Sequence, residues 1–544
     1  MLTLMLGGNM RKKFIEDITN KLRKGQIDRR QFMTSAIAAG LTIPTAVGIT
    51  NQVFAATPKS GGHLRHGIPH GSTTDTLDPA THENGFSQNT LYSMCNHLTE
   101  VGNDGQLIPE LAESYEASSD AKTWTFRLRK GVEFHNGKTM DADDVIASIN
   151  HHRGDDSKSA AKGLLTPIAD IKKADKNTVV FELNSGSADW AFIMSDYHLP
   201  IYPNKDGKMD WQSGIGTGAY VLQNFDPGVK FEATKNPNYW KEGRGHFDSI
   251  ENISIVDPVA RQNAAMNGDV DTIGRVDPKT VHLLERVDSL NILEVTGTLH
   301  YTFPMRVTIA PFDNYDLRMA LKYSINRQEL VDKILMGHGA LGNDHPISTA
   351  NPYHNGNLTQ REFDADKAKH HLKKSGMEGI TVPLSVADAA FGGATDAGLL
   401  IKESAAQVGI NVEVVKEPND GYWSDVWNKK GWCACYWGGR PTEDWMFSAA
   451  YVNDTEWNDT DWRTGEACDR FNDLVKAARA EVDTNKRREM YHECQEIVAD
   501  DGGLICPMFA NHISANSTKI QHEDNVAGNW EADGNKCAER WWFA

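Results

Sequence analysis

One stretch in the first third of the chain decides the fold: Trp124-Thr125-Phe126-Arg127-Leu128-Arg129-Lys130-Gly131-Val132-Glu133-Phe134-His135-Asn136-Gly137. Apolar and polar residues alternate from Trp124 to Leu128, which predicts a strand with one buried face. Lys130-Gly131 predicts a tight turn, and the alternation resumes over 132–134, so a second strand is expected.

The residues that follow this stretch predict a helix. They read Asp141-Ala142-Asp143-Asp144-Val145. Asp141 is a good N-cap, and the acidic residues behind it suit the positive end of the helix dipole. A further alternating strand is expected over 179–183. This part of the chain is therefore predicted to mix helices and strands.

The later half of the chain predicts a unit with parallel strands. Apolar residues alternate over 382–386, helical composition fills 396–408, and alternation returns over 410–414 after Gly409. A strand, a helix and a strand in this order form a βαβ unit with a right-handed crossover, as in α/β proteins. Further helices are expected at 316–336, 364–375, 466–481 and 485–500, the first of them interrupted at Asn326-Arg327-Gln328-Glu329, which resembles a capping box.

Length and charge exclude several classes of protein. The chain has 544 residues, which is enough for two or more domains with large cores. It carries 74 Asp and Glu against 56 Lys and Arg, a net charge of −18, so the basic surface that nucleic acids require is missing. No apolar run reaches the length of about 18 residues that a membrane span needs, which excludes a multi-span membrane protein.

Residues 1–55 are expected to be an export signal rather than part of the fold. A basic cluster ends at Arg29-Arg30-Gln31-Phe32-Met33, a moderately apolar stretch follows, and Val53-Phe54-Ala55 suits a signal peptidase. The paired arginines resemble a twin-arginine signal, and cleavage is expected near Ala55. A helical arm is the alternative, and Met10 is an alternative start to Met1.

The seven cysteines all lie after the predicted signal, at Cys95, Cys433, Cys435, Cys468, Cys494, Cys506 and Cys537. An exported protein meets an oxidising compartment, which permits disulfides. Because seven is odd, at least one cysteine has no partner, and which of them pair is left open. Cys433-x-Cys435 lacks the second pair that zinc sites carry, so no metal site is predicted.

Several blocks of sequence, in a fixed order, resemble those of one known family. They are Leu107 to Glu116, Trp124 to Gly137, Asp141 to Val145, Gly216-Thr217-Gly218-Ala219-Tyr220, Asn236-Pro237-Asn238-Tyr239-Trp240, Arg261 to Asp271, Pro311-Phe312-Asp313-Asn314 and Leu317-Arg318-Met319-Ala320-Leu321. They resemble the signature of the family 5 extracytoplasmic solute-binding proteins, the dipeptide- and oligopeptide-binding subunits of ABC importers. The resemblance covers roughly 59–520 and agrees with the export signal.

The resemblance implies an α/β, two-lobed periplasmic binding protein of type II and of the large cluster C kind, with an extra α+β subdomain. Lobe I would comprise 56–90, 215–305 and 510–544, the extra subdomain 91–214, and lobe II 306–509. Two chain crossings would form a hinge, and a small ligand would lie in the cleft between the lobes. The implied partner is an ABC permease at the inner membrane with a cytoplasmic ATPase, which would distinguish the closed, loaded state from the empty one.

The resemblance places the ligand chemistry in the lobe II stretch that follows Gly431-Trp432. In the family this segment supplies the acidic group that holds a peptide ammonium. Here it contains the candidates Cys435, Trp437, Gly438, Arg440, Glu443 and Asp444.

These candidates offer both charges that a zwitterion needs. Gly438 lets the backbone approach a ligand, and Trp437 offers a stacking wall. Arg440 is able to hold a carboxylate with two parallel hydrogen bonds, and Asp444 or Glu443 to accept from an ammonium. The alternative for Arg440 is an internal ion pair with Glu443 or Asp444. Cys435 departs from the family pattern, because some oligopeptide binders place their ammonium-binding Asp there, and this leaves peptide specificity open.

Five residues outside this stretch are weaker candidates. Arg306 lies where the chain should first cross between the lobes, and an exposed strand charge is its alternative. Asp344 and His345 belong to a loop that could reach the ligand, or they are solvated. Asn89 and Tyr92 could line lobe I, or Tyr92 is part of the core.

No catalytic residue, metal or cofactor is predicted, because the sequence lacks the H-E-x-x-H, Gly-x-Ser-x-Gly and P-loop motifs. The predicted function is that of a periplasmic substrate-binding protein of an ABC transporter. Its ligand would be a short peptide or a peptide-like zwitterion, and the protein would act as a monomer. The alternatives are another cargo (an opine-like conjugate, an oligosaccharide or a nickel chelate), a folding helper or sensor partner, or an exported hydrolase with a dispersed triad.

Overall fold

A computed structural model gives the fold of residues 14–15, 17–19, 21, 29–39, 41, 58–82, 84–418 and 422–544. The paired arginines begin a helix, Arg29–Ala38, in which Phe32 and Ala36 pack with Ile18. The predicted cleavage near Ala55 and the alternative start at Met10 lie outside the described residues. Within the described part, no helix is long and apolar enough to cross a membrane.

The strands and helices alternate irregularly along the chain. The strands are β1 His63–Ile68, β2 Thr99–Val101, β3 Leu107–Pro109, β4 Ala112–Ala117, β5 Thr123–Leu128, β6 Ile168–Asp175, β7 Thr178–Leu183, β8 Asn204–Lys205, β9 Lys208–Met209, β10 Tyr220–Asp226, β11 Lys230–Lys235, β12 Ser249–Ser254, β13 Thr272–Ile273, β14 Leu290–Thr302, β15 Gly339–Leu341, β16 Thr381–Val386, β17 Asn411–Lys416, β18 Cys435–Trp437, β19 Met508–Ser517, β20 Ile520–Gln521 and β21 Trp542–Phe543. The helices are α1 Arg29–Ala38, α2 Gly85–Met94, α3 Ala142–His151, α4 Lys162–Leu165, α5 Trp190–Ile193, α6 Pro258–Asn267, α7 Val281–Leu284, α8 Tyr315–Tyr323, α9 Arg327–Ile334, α10 Ala365–Ser375, α11 Ala394–Ala406, α12 Tyr422–Asp425, α13 Glu443–Ala450, α14 Glu466–Ala480, α15 Thr484–Asp500, α16 Glu531–Asn535 and α17 Cys537–Arg540.

The largest sheet joins distant parts of the chain. It has nine strands in the order β10-β11-β12-β1-β13-β19-β14-β18, with β15 paired to β19 beside this path. β1 runs parallel to β12 and β13, whereas β14 and β19 run antiparallel to each other over most of their length. β18 follows β14 with Tyr436 opposite Tyr301. The end of this sheet therefore brings residues 435–437 beside the two long strands.

A second, four-stranded antiparallel sheet has the order β4-β5-β7-β6. The strand predicted from Trp124 to Leu128 is confirmed within β5, and the strand predicted over 179–183 is confirmed within β7. The helix predicted after Asp141 is confirmed as α3, where Asp141 and Asp144 form a capping box.

The strand predicted over 132–134 is reduced to a single antiparallel bridge between Glu133 and Thr139, outside any sheet. The Phe134 N–H donates to Lys138 O and the Met140 N–H donates to Val132 O, so this segment turns back on itself. Val132 and Phe134 are both buried. The alternation of apolar residues therefore reports burial here, and not a place in a sheet.

The βαβ unit of the later half is confirmed. β16 and β17 pair in parallel, with α11 between them in the chain. The interruption of the helix predicted over 316–336 is also confirmed, since α8 ends before Asn326 and the Asn326 side chain accepts from the Glu329 N–H at 3.2 Å to begin α9. The three other predicted helices are α10, α14 and α15. The predicted fold class, α/β, is that of the protein.

The buried apolar side chains form several separate cores. One contains Leu64, Phe86, Phe231 and Trp541; another contains Phe126, Phe181 and Trp190; a third contains Leu317, Val382, Ile401 and Trp432; a fourth contains Phe447, Phe471 and Tyr491. The predicted domain boundaries stay a prediction. The seven cysteines are all buried and form no disulfide, so each acts as a small apolar core residue.

Candidate ligand-binding cleft

Residues 438–442 form a loop that rests on the long strand β14. Thr298 Oγ1 donates to Gly438 O at 3.2 Å. Gly439 has a φ of +72°, and a Cβ there would lie 2.3 Å from the Thr298 carbonyl oxygen. Thr442 ends the loop by capping α13, since its side chain accepts from the Trp445 N–H at 3.3 Å. Arg440 thus lies between the contact of Gly438 and Gly439 with Thr298 and the helix cap at Thr442.

Gly439→Ala is expected to lower the free energy of unfolding by about 1–3 kcal/mol, because the left-handed backbone and the contact with Thr298 both oppose a side chain. Urea unfolding measures this effect. Gly438→Ala is the matched control, since a Cβ at Gly438 meets nothing within 4 Å. Equal losses in the two variants would show that the support by Thr298 is unimportant.

The Arg440 side chain is part-buried and turns towards residues from another part of the chain. Its Nη1 donates to Gly439 O at 2.6 Å, and its Cζ lies 5.9 Å from the centre of the Trp445 ring. Burial lowers the pKa of Arg440, while Tyr197 and Asp196 act to raise it. Arg440 therefore lies within electrostatic range of Tyr197 and Asp196, which belong to the segment predicted as the extra subdomain.

Glu443 and Asp444 have partners other than Arg440. Asp444 pairs with Arg479, whose Nε lies 3.0 Å from Oδ1. Glu443 is buried and accepts from the Tyr353 N–H at 2.7 Å, and burial raises its pKa to about 7. The internal ion pair weighed above as the alternative for Arg440 is therefore formed with neither residue.

Along β18 the side chains alternate between the interior and the solvent. Cys435 is buried, and burial raises the pKa of its thiol well above the ordinary value, so it carries no charge at neutral pH. Trp437 is also buried, and its Nε1 donates to Asp459 Oδ2 at 3.1 Å. Burial raises the pKa of Asp459 to about 6. Tyr436, between them, is 45% exposed.

An aromatic surface surrounds Tyr436. Trp423 packs edge-on against it with ring centres 5.6 Å apart, and Trp423 is itself 40% exposed. Tyr301, opposite Tyr436 in the sheet, stacks on Phe391 at 4.2 Å. We call Tyr301, Trp423 and Tyr436 the aromatic wall.

Arg275 forms an ion pair with Glu531 and lies within electrostatic range of Tyr436 and Tyr301 of the aromatic wall. Burial by the surrounding parts of the protein lowers the pKa of Arg275, but Glu531, Tyr436 and Tyr301 raise it more. The Arg275 side chain is nevertheless 59% exposed. Exposed charged and aromatic side chains within range of one another suit the binding of a small polar ligand.

Asp196 and Tyr197 lie on the same side as Arg275. Trp530, directly before Glu531, packs edge-on against Tyr197 with ring centres 6.0 Å apart. Asp196 Oδ1 lies 2.6 Å from His198 Nδ1 and also accepts from the His198 N–H. This side of the cleft therefore offers carboxylates that already have partners in the protein.

A cavity of about 530 Å³ adjoins the Arg440 loop at Pro441. Thr298, which supports the loop, lines it as well. The size falls within the range of pockets that hold small ligands.

The five weaker candidates are buried or already have partners within the protein. Arg306 pairs with Asp461 at 2.9 Å. Asp344 is fully buried between two arginines, and His345 is buried with its pKa lowered to about 3 by burial. In α2, Asn89 is buried and donates to Asn535 Oδ1 at 3.0 Å, and Tyr92 is buried with a pKa raised well above its ordinary value by burial. A ligand contact by any of the five stays a prediction.

The comparison with known families identifies the chain. Residues 106–459 match the family of bacterial extracellular solute-binding proteins, family 5 Middle. The chain belongs to this family. This solute-binding protein is 25% identical over 523 residues to di/tripeptide-binding protein 1 of Pseudomonas aeruginosa, with 88% of this chain and 93% of that protein covered. It is 27% identical over 513 residues to the glutathione-binding protein GsiB of Pectobacterium atrosepticum, with 89% and 94% covered.

Solved structures share the fold of this solute-binding protein. The periplasmic binding protein AgaA of A. tumefaciens R10, solved in complex with agropinic acid, superposes with a TM-score of 0.71 at 23% identity and covers 89% of this chain and 99% of its own. The resemblance to the family's blocks of sequence is thus confirmed, and so is the two-lobed binding-protein fold class.

One buried group of acidic residues in this solute-binding protein resembles a metal site but is filled by lysine. Carboxylate oxygens of Glu100, Glu110 and Glu539 lie within 4.8 Å of one another. Lys241 Nζ lies 2.5, 2.6 and 2.9 Å from them. Because Lys241, Lys536 and Arg540 together neutralise these carboxylates, the group is an internal ion network.

Sequence reasoning missed the opposite side of the cleft. Arg275, Glu531 and Asp196 occur in no motif, and their neighbours in the chain carry no ligand-binding pattern. Tyr301 carries a weak signal in the sequence, because it lies just before the segment predicted to cross between the lobes.

Proposed function

We propose that this chain is the periplasmic substrate-binding protein of an ABC importer, which captures a short peptide or peptide-like zwitterion in its cleft. The observation that carries this proposal is Arg440, a part-buried guanidinium that no carboxylate of the described residues approaches within ion-pair distance. A guanidinium binds a carboxylate with two parallel, charge-assisted hydrogen bonds. Relatives named for di- and tripeptides and for glutathione support a ligand of this class.

We further propose the division into lobe I (56–90, 215–305 and 510–544), an extra subdomain (91–214) and lobe II (306–509). The separate apolar cores support this division. The paired long strands β14 and β19 would supply the two crossings of the hinge. Closure about them would bring Arg440 and the aromatic wall over a ligand on lobe I.

Export by a twin-arginine signal, cleavage near Ala55 and a location in the periplasm belong to the same proposal. The partner would be an ABC permease at the inner membrane, and the binding protein would act as a monomer. Its relatives are named as binding proteins, and accordingly no turnover is expected when purified protein is incubated with peptides. Cleavage of the peptides would instead support an exported hydrolase.

The direct test is mass spectrometry of the compound released when purified protein is denatured. A peptide or an amino-acid conjugate is the expected result. An oligosaccharide or a nickel chelate would contradict the proposal. A pool of dipeptides should also raise the thermal midpoint of the emptied protein, because a ligand that binds only the folded state stabilises it.

Arg440→Ala is expected to weaken binding of the recovered compound at least about 30-fold, or about 2 kcal/mol, since a charge-assisted pair is lost. Isothermal titration calorimetry measures the affinity. Arg470→Ala is the control, because Arg470 pairs with Glu493 on the surface with 56% of its side chain exposed. An affinity of Arg440→Ala within a few-fold of the wild type would remove Arg440 from the binding site.

A further inference from the structure

Four carboxylates of the candidate site have partners within the protein. Glu531 pairs with Arg275, Asp196 with His198, and Asp444 with Arg479. Asp459 accepts from Trp437 and is buried behind β18. To bind any of these four carboxylates, a ligand ammonium would have to compete with the protein group that already binds it.

Arg440 is in the opposite situation. Its hydrogen bond goes to a backbone carbonyl, that of Gly439, and its guanidinium lies over the Trp445 ring. A part-buried cation without an anionic partner is unfavourable, and a ligand carboxylate removes that cost when it binds. The site is therefore asymmetric, since Arg440 has no anionic partner among the described residues whereas these four carboxylates are all engaged.

We propose that this protein recognises its ligand through a carboxylate and does not require a free amino group. The ligand class is then carboxylic acids of the amino-acid type whose nitrogen is substituted, such as N-acylated or otherwise conjugated amino acids and N-blocked short peptides, together with free peptides. This inference rests on the proposed function, and it names the chemistry by which that cleft selects.

The aromatic wall gives the nitrogen substituent a place to bind. Tyr436 is 45% and Trp423 40% exposed, and Arg275 interacts electrostatically with Tyr436. Apolar or planar groups gain from contact with such rings, and a nearby guanidinium adds a stacking surface. A charged ammonium at the same place would find no free carboxylate, since Glu531 is already paired with Arg275. Both features favour a blocked nitrogen over a free one.

The test uses one pool of dipeptides in three forms: free, N-acetylated, and amidated at the carboxyl end. Native mass spectrometry selects the best binder, and calorimetry gives the Kd of its three forms. The N-acetyl form is expected to bind within about threefold of the free form, and the amide at least about 30-fold more weakly. An N-acetyl form as weak as the amide, or an amide as tight as the free form, would overturn the inference while leaving the binding function intact.

Arg440→Gln separates a direct contact from a structural role. In this variant the amide and the free form should bind alike, whereas Arg470→Gln, on the surface, should keep the full difference. A discrimination that survives Arg440→Gln overturns the assignment.

Failure of the proposed function has a different signature. If none of the three forms binds, the peptide-like class is wrong, and the inference is then decided on the compound released from the purified protein. A gain of mass on methyl esterification shows a carboxylate and supports it. A released compound with no carboxylate overturns it.

Discussion

Asp344→Ala should destabilise the protein by about 3–5 kcal/mol, because it leaves two buried guanidinium groups without their shared anion. Arg327 Nη2 lies 2.7 Å and Arg361 Nη1 2.8 Å from Asp344 Oδ2, and the carboxylate also accepts from the Cys506 N–H at 3.1 Å. Burial alone would raise the pKa of Asp344, but the arginine charges hold it below the ordinary value. Urea unfolding at neutral pH measures the loss.

Asp500→Ala is the matched control for this prediction. Asp500 pairs with the same Arg361, at 2.6 Å, but its side chain is 65% exposed. Water replaces an exposed carboxylate at little cost, so a loss of less than about 1 kcal/mol is expected. Equal losses in the two variants would show that burial of the Asp344 ion pairs does not matter. Asp344 is also a candidate ligand-binding residue. If Asp344→Ala keeps its ligand affinity at a temperature at which it stays folded, Asp344 acts in stability alone.

Lys241→Ala is the second large effect, at about 3–5 kcal/mol near neutral pH. Lys241 contacts Glu100, Glu110 and Glu539, which are all almost completely buried, and Lys536 and Arg540 supply further positive charge. The loss of Lys241 leaves the three carboxylates with too few cations. Lys333→Ala, at an exposed pair with Glu329, should cost less than about 1 kcal/mol.

The Lys241→Ala effect should depend on pH. Burial would raise the pKa of Glu100 and Glu539, but Lys241 and neighbouring cations lower both below the ordinary 4.5. A carboxylate with a lowered pKa stabilises the fold fully above its unfolded value and loses this contribution as pH falls through the folded value. The difference between wild type and variant should therefore be largest at neutral pH and shrink below pH 4.5. A difference that is constant with pH would contradict the role of Lys241.

The site was predicted from sequence only on one side. The segment 438–444 was found through a resemblance, and the structure brings Arg440 of that segment within electrostatic range of Asp196 and Tyr197. The roles of Asp444 and Glu443 as ammonium ligands stay predictions, although Arg479 and the Tyr353 N–H already bind these two side chains. Composition and spacing carry no information about which carboxylate forms an ion pair with an arginine that is distant in the sequence.

Strands and helix ends that depend on residues close together in the chain could be predicted from the sequence. Alternation defined β5 and the parallel pair β16 and β17, and the caps Asp141 and Asn326 defined where helices begin. A cap and the amide it binds lie two or three residues apart, so the signal is local. The same locality explains the failure at 132–134, because burial and strand pairing give the same alternation.

Tertiary structure alone decided which charges are free. Arg275 meets Glu531 across 256 positions, and Arg479 reaches Asp444 across 35. These pairings leave Arg440 as the cation of the cleft without a carboxylate among the residues described. Charges interact over a few ångströms whatever their separation in sequence, so only the folded chain settles which of them a ligand finds unpaired.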